Sequence, residues 1–204
     1  DFLRSPASND FDLSNNSFTM EGWFYFEKWE GTGFNTLVWV GSDATAANNC
    51  FVLDYKDQTN ELRFIAAISN SHSGNVYTSK CSLGLRRWYH LAWCRDGSKL
   101  RLFVDGIQVG ITMNITSTVD GDDVPCYIGK RPGNDDRHFG GYISNLRLVI
   151  GTALYTKNFK VPLEPLTNIT NTKLLCCQSL NDFTAGRVKP GNITADGDAK
   201  QMNV

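Results

Sequence analysis

The chain has 204 residues, with 20 Lys and Arg against 21 Asp and Glu, a formal net charge of -1 and 41% hydrophobic residues; that is enough chain for one well-buried core. The basic residues are scattered apart from short pairs such as Arg86-Arg87, which excludes the electrostatic footprint of a nucleic-acid partner. No apolar run reaches the roughly 20 residues needed to cross a bilayer and no basic-then-apolar leader opens the chain, so no membrane partner is expected.

The chain starts at Asp1 inside strand-like material, which reads as an excerpt or processed piece of something longer. In SFTMEGWFYFEKW, Met20, Gly22, Phe24 and Phe26 alternate with Glu21, Trp23, Tyr25 and Glu27. Both faces are apolar through the middle, which predicts a central strand covered on both sides. NTLVWVG follows, and then NCFVLDY and ELRFIAAI, separated by the polar KDQTN, read as a hairpin. In RRWYHLAWCRDGSKLRLFVDGIQVG two strands join through Asp96-Gly97, the second carries Leu100, Leu102 and Val104 on one face, and the chain turns again at Asp105-Gly106. Asp-Gly between alternating apolar residues is a hairpin cue, because both residues tolerate the positive φ of a two-residue turn. In HFGGYISNLRLVI, Tyr142, Leu146, Leu148 and Ile150 share one face with Ser144 as its polar exception, and Ile143, Asn145, Arg147 and Val149 share the other.

After Gly151 the segment TALYTKNF loses the period of two. It predicts one turn of helix or a tight corner that lays Leu154, Tyr155 and Phe159 over an open end of the core. The tail 181–204 is rich in Gly, Asn and Asp and reads as a weak last strand, FTAGRV or GNITADG, or as a frayed end. Frequent turns and no amphipathic helix together predict an all-β fold, an antiparallel two-sheet sandwich in a single domain over 1–204. No internal repeat is present, which removes propellers and solenoids.

Three blocks, DFLRSPASNDFDLSNNSFTMEGWFYF, WYHLAWCRDGSKLRLFVDGIQVG and FGGYISNLRLVIGTALYTKNFKVPLEPLT, resemble in content and order the laminin-G-like, concanavalin-A-like sandwich family. The resemblance implies a jelly roll, with WYHLAW and LRLFVDG as adjacent inner strands. GTALYTKNFKVPLEPLT followed by LLCCQS is similar to versions of this domain in structural proteins of tailed bacteriophages, cyanophages especially. That likeness implies a virion component in a capsid decoration, tail or fibre, with other virion proteins and copies of itself as partners.

Glycoside hydrolases on such sandwiches set two glutamates at alternate positions of one concave strand, because acid and nucleophile must flank one bond. The five glutamates here, Glu21, Glu27, Glu30, Glu61 and Glu164, form no Glu-x-Asp-x-Glu run. His72, His90 and His138 are the bases open to a triad, and no G-x-S-x-G elbow accompanies them. The chain therefore reads as non-enzymatic, with no catalytic residue assigned. The resembled family often holds calcium in a loop, and two clusters have suitable chemistry: Asp120, Asp122 and Asp123, and Asn134, Asp135 and Asp136. Solvated β-turns have the same content, so no metal ligand and no cofactor is assigned, and calcium stays an alternative.

Sugar sites on such sandwiches use exposed aromatic rings. Trp29 and Trp39, near loops, are the candidates, whereas Trp23, Trp88 and Trp93 have apolar strand neighbours and read as core. Cys50, Cys81, Cys94, Cys126, Cys176 and Cys177 lack CxxC spacing and nearby histidine pairs, which leaves zinc without support. They read as free thiols packed as small hydrophobes, with disulfides as the alternative. Sequons at Asn15, Asn114, Asn168 and Asn192 matter only if a eukaryotic secretory pathway makes the protein. The functional expectation is a non-enzymatic virion structural protein, outside the cell, that displays a host- or glycan-recognition surface. Its alternative is a secreted or cell-surface carbohydrate-binding adhesion module that uses calcium.

Overall fold

A computed structural model describes residues 1–30, 33–42, 49–66, 75–116, 118–133, 137–197 and 199, and of Asn49 and Cys50 the backbone alone. His72, the Asn134, Asp135 and Asp136 cluster and the Cys50 thiol lie outside the described residues. In chain order the strands are β1 (Phe2–Ser8), β2 (Phe18–Phe26), β3 (Phe34–Gly41), β4 (Asn49–Lys56), β5 (Glu61–Ala66), β6 (Asn75–Lys80) and β7 (Trp88–Asp96). They continue as β8 (Lys99–Val104), β9 (Ile107–Asn114), β10 (Val124–Ile128), β11 (Gly141–Ile150), β12 (Thr172–Cys176), β13 (Gly186–Val188) and β14 (Thr194–Asp196). Two seven-stranded antiparallel sheets result among the described residues, ordered β14-β1-β10-β3-β4-β5-β6 and β13-β12-β11-β2-β7-β8-β9. Among the described residues the helical content is one 3-10 turn, Asn9–Phe11. The expected all-β jelly-roll sandwich is what forms.

β2 is the middle strand of its sheet, between β11 and β7. Its residues Met20, Phe24 and Phe26 point between the sheets and meet Leu91, Trp93, Leu102 and Leu148 there, with Val38, Leu53, Tyr55 and Phe64 from the facing sheet. Each such side chain contributes about 1.5–3 kcal/mol when fully withdrawn from water. Trp93 also joins the layers by a hydrogen bond, its indole N–H donating to Arg63 O at 3.1 Å. The hairpins fall where turn chemistry puts them. β4 pairs with β5. Between β8 and β9, Val104 faces Ile107 across Asp105 and Gly106, whose φ of +48° and +78° are both positive as a type I′ turn demands. Between β7 and β8 the last pair is Asp96 with Lys99, so the loop is Gly97-Ser98 and not Asp96-Gly97, and Gly97 supplies the positive φ of +56°.

β11 departs from simple alternation. It pairs Ser144 with Trp23 and then Arg147 with Glu21, so it carries one residue more than β2 over that step. Asn145 takes the excess in a left-handed φ of +52°, which makes a bulge. Side-chain parity inverts there. Ile143, Leu146, Leu148 and Ile150 face the core, and Tyr142 with Ser144 faces outward. The expected row that joined Tyr142 to Leu146 is thereby corrected, and Ser144 ceases to be an exception.

The segment 151–167 forms neither a helical turn nor a cap on the open end of the core. It runs as an irregular strap across the outer face of the β2 sheet. Leu154 N donates to Thr19 Oγ1 at 2.8 Å, Phe159 N donates to Gly106 O at 2.9 Å, and Thr167 O accepts from Arg147 Nη1 at 2.8 Å. Tyr155 and Phe159 stack at 3.5 Å with 5° between their planes and cover Ala92, Cys94 and Phe103. Small residues at 92 and 94 leave a trough on that face, and two large rings fill it.

Candidate functional site

The strap covers the outer face of β2 around Glu21 and leaves the end near Tyr25 open. Alternation sets Trp23 and Tyr25 outward because Phe24 and Phe26 occupy the inside. Tyr25 stands in register with Trp88 on β7 and Tyr142 on β11. The three rings make a row across three adjacent strands, with centroids 5.5 Å apart from Trp88 to Tyr25 and 5.8 Å apart from Tyr25 to Tyr142. Tyr142 is 37% exposed, and Trp88 and Tyr25 are half-buried. The flanking strands stop short of the row: toward this end the β7–β8 pairing stops at Leu91 with Val104, and the β11–β12 pairing stops at Leu146 with Cys176. Behind the row Trp23 sets its ring at 74° to the His90 imidazole, 5.2 Å away.

Two glycines place Tyr142. A Cβ on Gly141 would lie 1.9 Å from Tyr25 O, and one on Gly140 would lie 2.8 Å from Lys28 O. Residues without side chains are needed for β11 to enter against β2 at that point. Beside the row opens a cleft of about 830 Å³, lined by Trp88, Tyr142, Phe139, Phe183, Glu27 and Glu30 among others. This volume falls within the range of small-ligand sites. Lys28 Nζ lies 3.2 Å from Glu30 Oε1 at its edge, and His138 also lines it. An apolar wall with a few charged groups and three flat rings suits a ligand having both hydroxyl groups and an apolar face.

A second polar cluster lies beneath the strap and is closed to solvent. Glu21 and His90 are fully buried, and Arg147 is nearly so. Arg147 Nε donates to Glu21 Oε1 at 3.1 Å, Tyr155 Oη donates to Glu21 Oε2 at 2.9 Å, and His90 Nε2 lies 3.2 Å from the same Oε2. Burial pushes the Glu21 carboxyl up, but the His90 hydrogen bond and the Arg147 charge outweigh it and hold the group below its ordinary 4.5. Burial and the neighbouring Glu21 charge push the Tyr155 hydroxyl up. Its oxygens are engaged within the fold, and the cluster ties β2, β7, β11 and the strap together with no room for a ligand.

The other singled-out residues are dispersed. Glu61 pairs with Lys80 at 3.0 Å, and Glu164 is exposed. Trp93 is core, as expected, but Trp23 and Trp88 are half-buried on the outer face. Of the two tryptophans favoured for stacking, Trp39 is 7% exposed in a small cluster with Val52 and Tyr127, and Trp29 packs on Phe26 and Tyr55. Around the first acidic cluster, Asp123 N donates to Asn9 Oδ1 at 2.7 Å and Gly121 N donates to Asp12 Oδ1 at 3.2 Å. Among the described residues no group of three or more His, Cys, Asp or Glu side chains gathers where an ion fits, and no helix is long and apolar enough to cross a membrane.

Comparison with known proteins gives the lineage. Among curated proteins no sequence match was found. Solved structures with the same fold include a heptameric SAP-like pentraxin from Limulus polyphemus, 15% identical with a TM-score of 0.55 over 76% of this chain and 71% of that one. Domain 4 of a GH43 extracellular arabinanase from Geobacillus stearothermophilus is 18% identical, with a TM-score of 0.54 over 76% and 68% of the two chains. Domains LG4-5 of the mouse laminin α1 chain are 15% identical, with a TM-score of 0.50 over 78% of this chain and 45% of that one. A laminin G family model matches residues 4–153. By that match, which takes in the inner strands β2, β7 and β8 and the outward row, the chain belongs to the concanavalin A-like lectin/glucanases superfamily.

Proposed function

We propose that this domain is a non-catalytic glycan-binding module whose ligand lies across the Trp88, Tyr25 and Tyr142 row and reaches into the adjoining cleft. The observation that carries the reading is the row itself, three in-register rings on the part of the β2 sheet's outer face that the strap leaves uncovered. Pyranose rings present an apolar face to such aromatics and hydroxyls to the polar rim. The likeness to the arabinanase domain, whose structure was solved in complex with arabinotriose, supports a sugar ligand of this general class. The domain binds without turnover, and it needs neither a metal nor a cofactor. We place it outside the cell, on the particle of a tailed bacteriophage, among other virion proteins and copies of itself. The support for that placement is the likeness of residues 151–167 and 174–179 to such proteins, and arrayed copies multiply weak contacts by valency. A secreted or cell-surface adhesion module is the alternative location for the same site.

Affinity electrophoresis against a panel of soluble polysaccharides tests the reading. Retardation by at least one polysaccharide is expected, with Tyr25→Ala and Trp88→Ala each weakening binding tenfold or more, about 1.4 kcal/mol, while both variants stay folded. Retardation unchanged in a Tyr25→Ala, Trp88→Ala double variant, or polysaccharide cleavage abolished by Glu27→Gln or Glu30→Gln, would sink it. Chelator-sensitive binding would favour the calcium-using alternative, and copies fixed to purified particles would favour the virion.

A further inference from the structure

Neighbouring residues of a strand point to opposite faces, so the thiols of adjacent cysteines are ordinarily held apart. At the end of β12 that alternation fails. Cys177 adopts a left-handed φ of +59°, and Cys176 Sγ and Cys177 Sγ lie 3.5 Å from each other. The cause is across the ladder: Asn145 N donates to Cys177 O at 3.0 Å, and Asn145 is the bulge residue of β11. Two left-handed residues therefore face each other at the bend that brings the thiols together. Cys176 is fully buried, whereas Cys177 is half-buried and forms part of the cleft wall. The pair thus joins an accessible sulfur to an inner one.

We propose that Cys176 and Cys177 are a vicinal dithiol that closes to a disulfide on meeting a small-molecule disulfide such as oxidised glutathione. The Cys177 thiol loses its proton, and its sulfur attacks one sulfur of the reagent, forming a mixed disulfide and releasing the first glutathione. The Cys176 sulfur, deprotonated in turn, then attacks the Cys177 sulfur and expels the second glutathione. The pair gives up two protons and two electrons, and the reagent leaves as two molecules of reduced glutathione. Adjacent Cα atoms stand only ~3.8 Å apart, short of the ~4.4–6.8 Å span usual for a disulfide, so the ring is strained and a mild thiol reopens it. The product is a reversible redox mark in the wall of the cleft. Cys126, fully buried in the facing sheet, is the competing partner.

The test treats the folded domain with oxidised glutathione, alkylates it and digests it with trypsin. Both cysteines fall in one peptide, 174–187, between cuts after Lys173 and Arg187. That peptide is expected to be lighter by two hydrogens and to resist alkylation, and dithiothreitol should restore two alkylatable thiols. Cys177→Ser should leave Cys176 reduced, and Cys81→Ser should change nothing. A lasting glutathione adduct on Cys177, a cross-linked peptide joining Cys126 to Cys177, or an unreacted pair in protein whose Cys81 has reacted would each overturn the proposal.

Discussion

Replacing Glu21 by Gln keeps the side-chain shape and removes one charge from a place that water does not reach. Glu21 is 0% exposed and Arg147 6%, and Arg147 directs both Nε and Nη2 at Glu21 Oε1. Once the carboxylate charge is gone, the guanidinium stays buried without a counter-charge, which costs about 3–5 kcal/mol. In a domain of this size each kcal/mol is worth about 2–4 °C of Tm, so the variant should melt about 6–20 °C lower. Urea titration followed by tryptophan fluorescence, with thermal melts beside it, measures the loss directly. A quadruple variant, Glu21→Leu with His90→Leu, Arg147→Met and Tyr155→Phe, removes the whole polar set and should return to within about 2 kcal/mol of the native protein, because apolar replacement of a buried pair is often neutral. A loss below about 1 kcal/mol for Glu21→Gln would refute the reasoning, since that is the worth of a pair standing in water.

Acid offers a second reading of the same group. The folded pKa of Glu21 lies below its ordinary 4.5, so its contribution is present above that value and is lost as the pH falls through the folded one. Circular dichroism against pH should show the native protein losing stability more steeply in that window than Glu21→Gln does; parallel curves would contradict this. Two turn glycines separate strain from crowding. Gly106→Ala combines a φ of +78° with a Cβ 2.1 Å from Phe159 O and should cost more than about 2 kcal/mol in urea. Gly97→Ala, at +56° with open space around it, should cost about 1 kcal/mol; equal losses would show that the strap does not press on that turn.

The hairpins were legible in the sequence because positive φ restricts residue choice, and Asp105-Gly106 announces its turn without help from the rest of the chain. The central place of β2 was legible too, since apolar residues on both faces imply neighbours on both. What that pattern hides is the kind of neighbour. At Thr19 and Glu21 it is a strap whose residues lie 133–135 positions further on, and at Tyr25 it is open solvent beside other rings. Spacing within a strand carries no information on which face a distant segment will cross. The Asn145 bulge was illegible for a related reason: asparagine tolerates left-handed φ, but an asparagine-rich chain offers many such places and the ladder selects one. Strict alternation without that bulge places Tyr142 on the core face, and apolar neighbours on both sides give Tyr25 and Trp88 the look of covered residues, so the row has no signature of its own in the sequence. Trp29 and Trp39 drew notice by lying near loops, yet Phe26 and Tyr55 hold the first and a small cluster on the other sheet holds the second.

Glu21 is made early and its guanidinium and phenol partners late, Arg147 following by 126 positions and Tyr155 by 134. A chain emerging from the ribosome thus carries that carboxylate through the first ten strands with the His90 imidazole of β7 at hand but the Arg147 counter-charge not yet made. Early strands can collapse on one another, but any such intermediate keeps a wet seam along β2, and premature drying is disfavoured. The seam can close only once β11 and the stretch behind it are made, when Arg147 meets Glu21 and the two stacked rings cover the trough beside it.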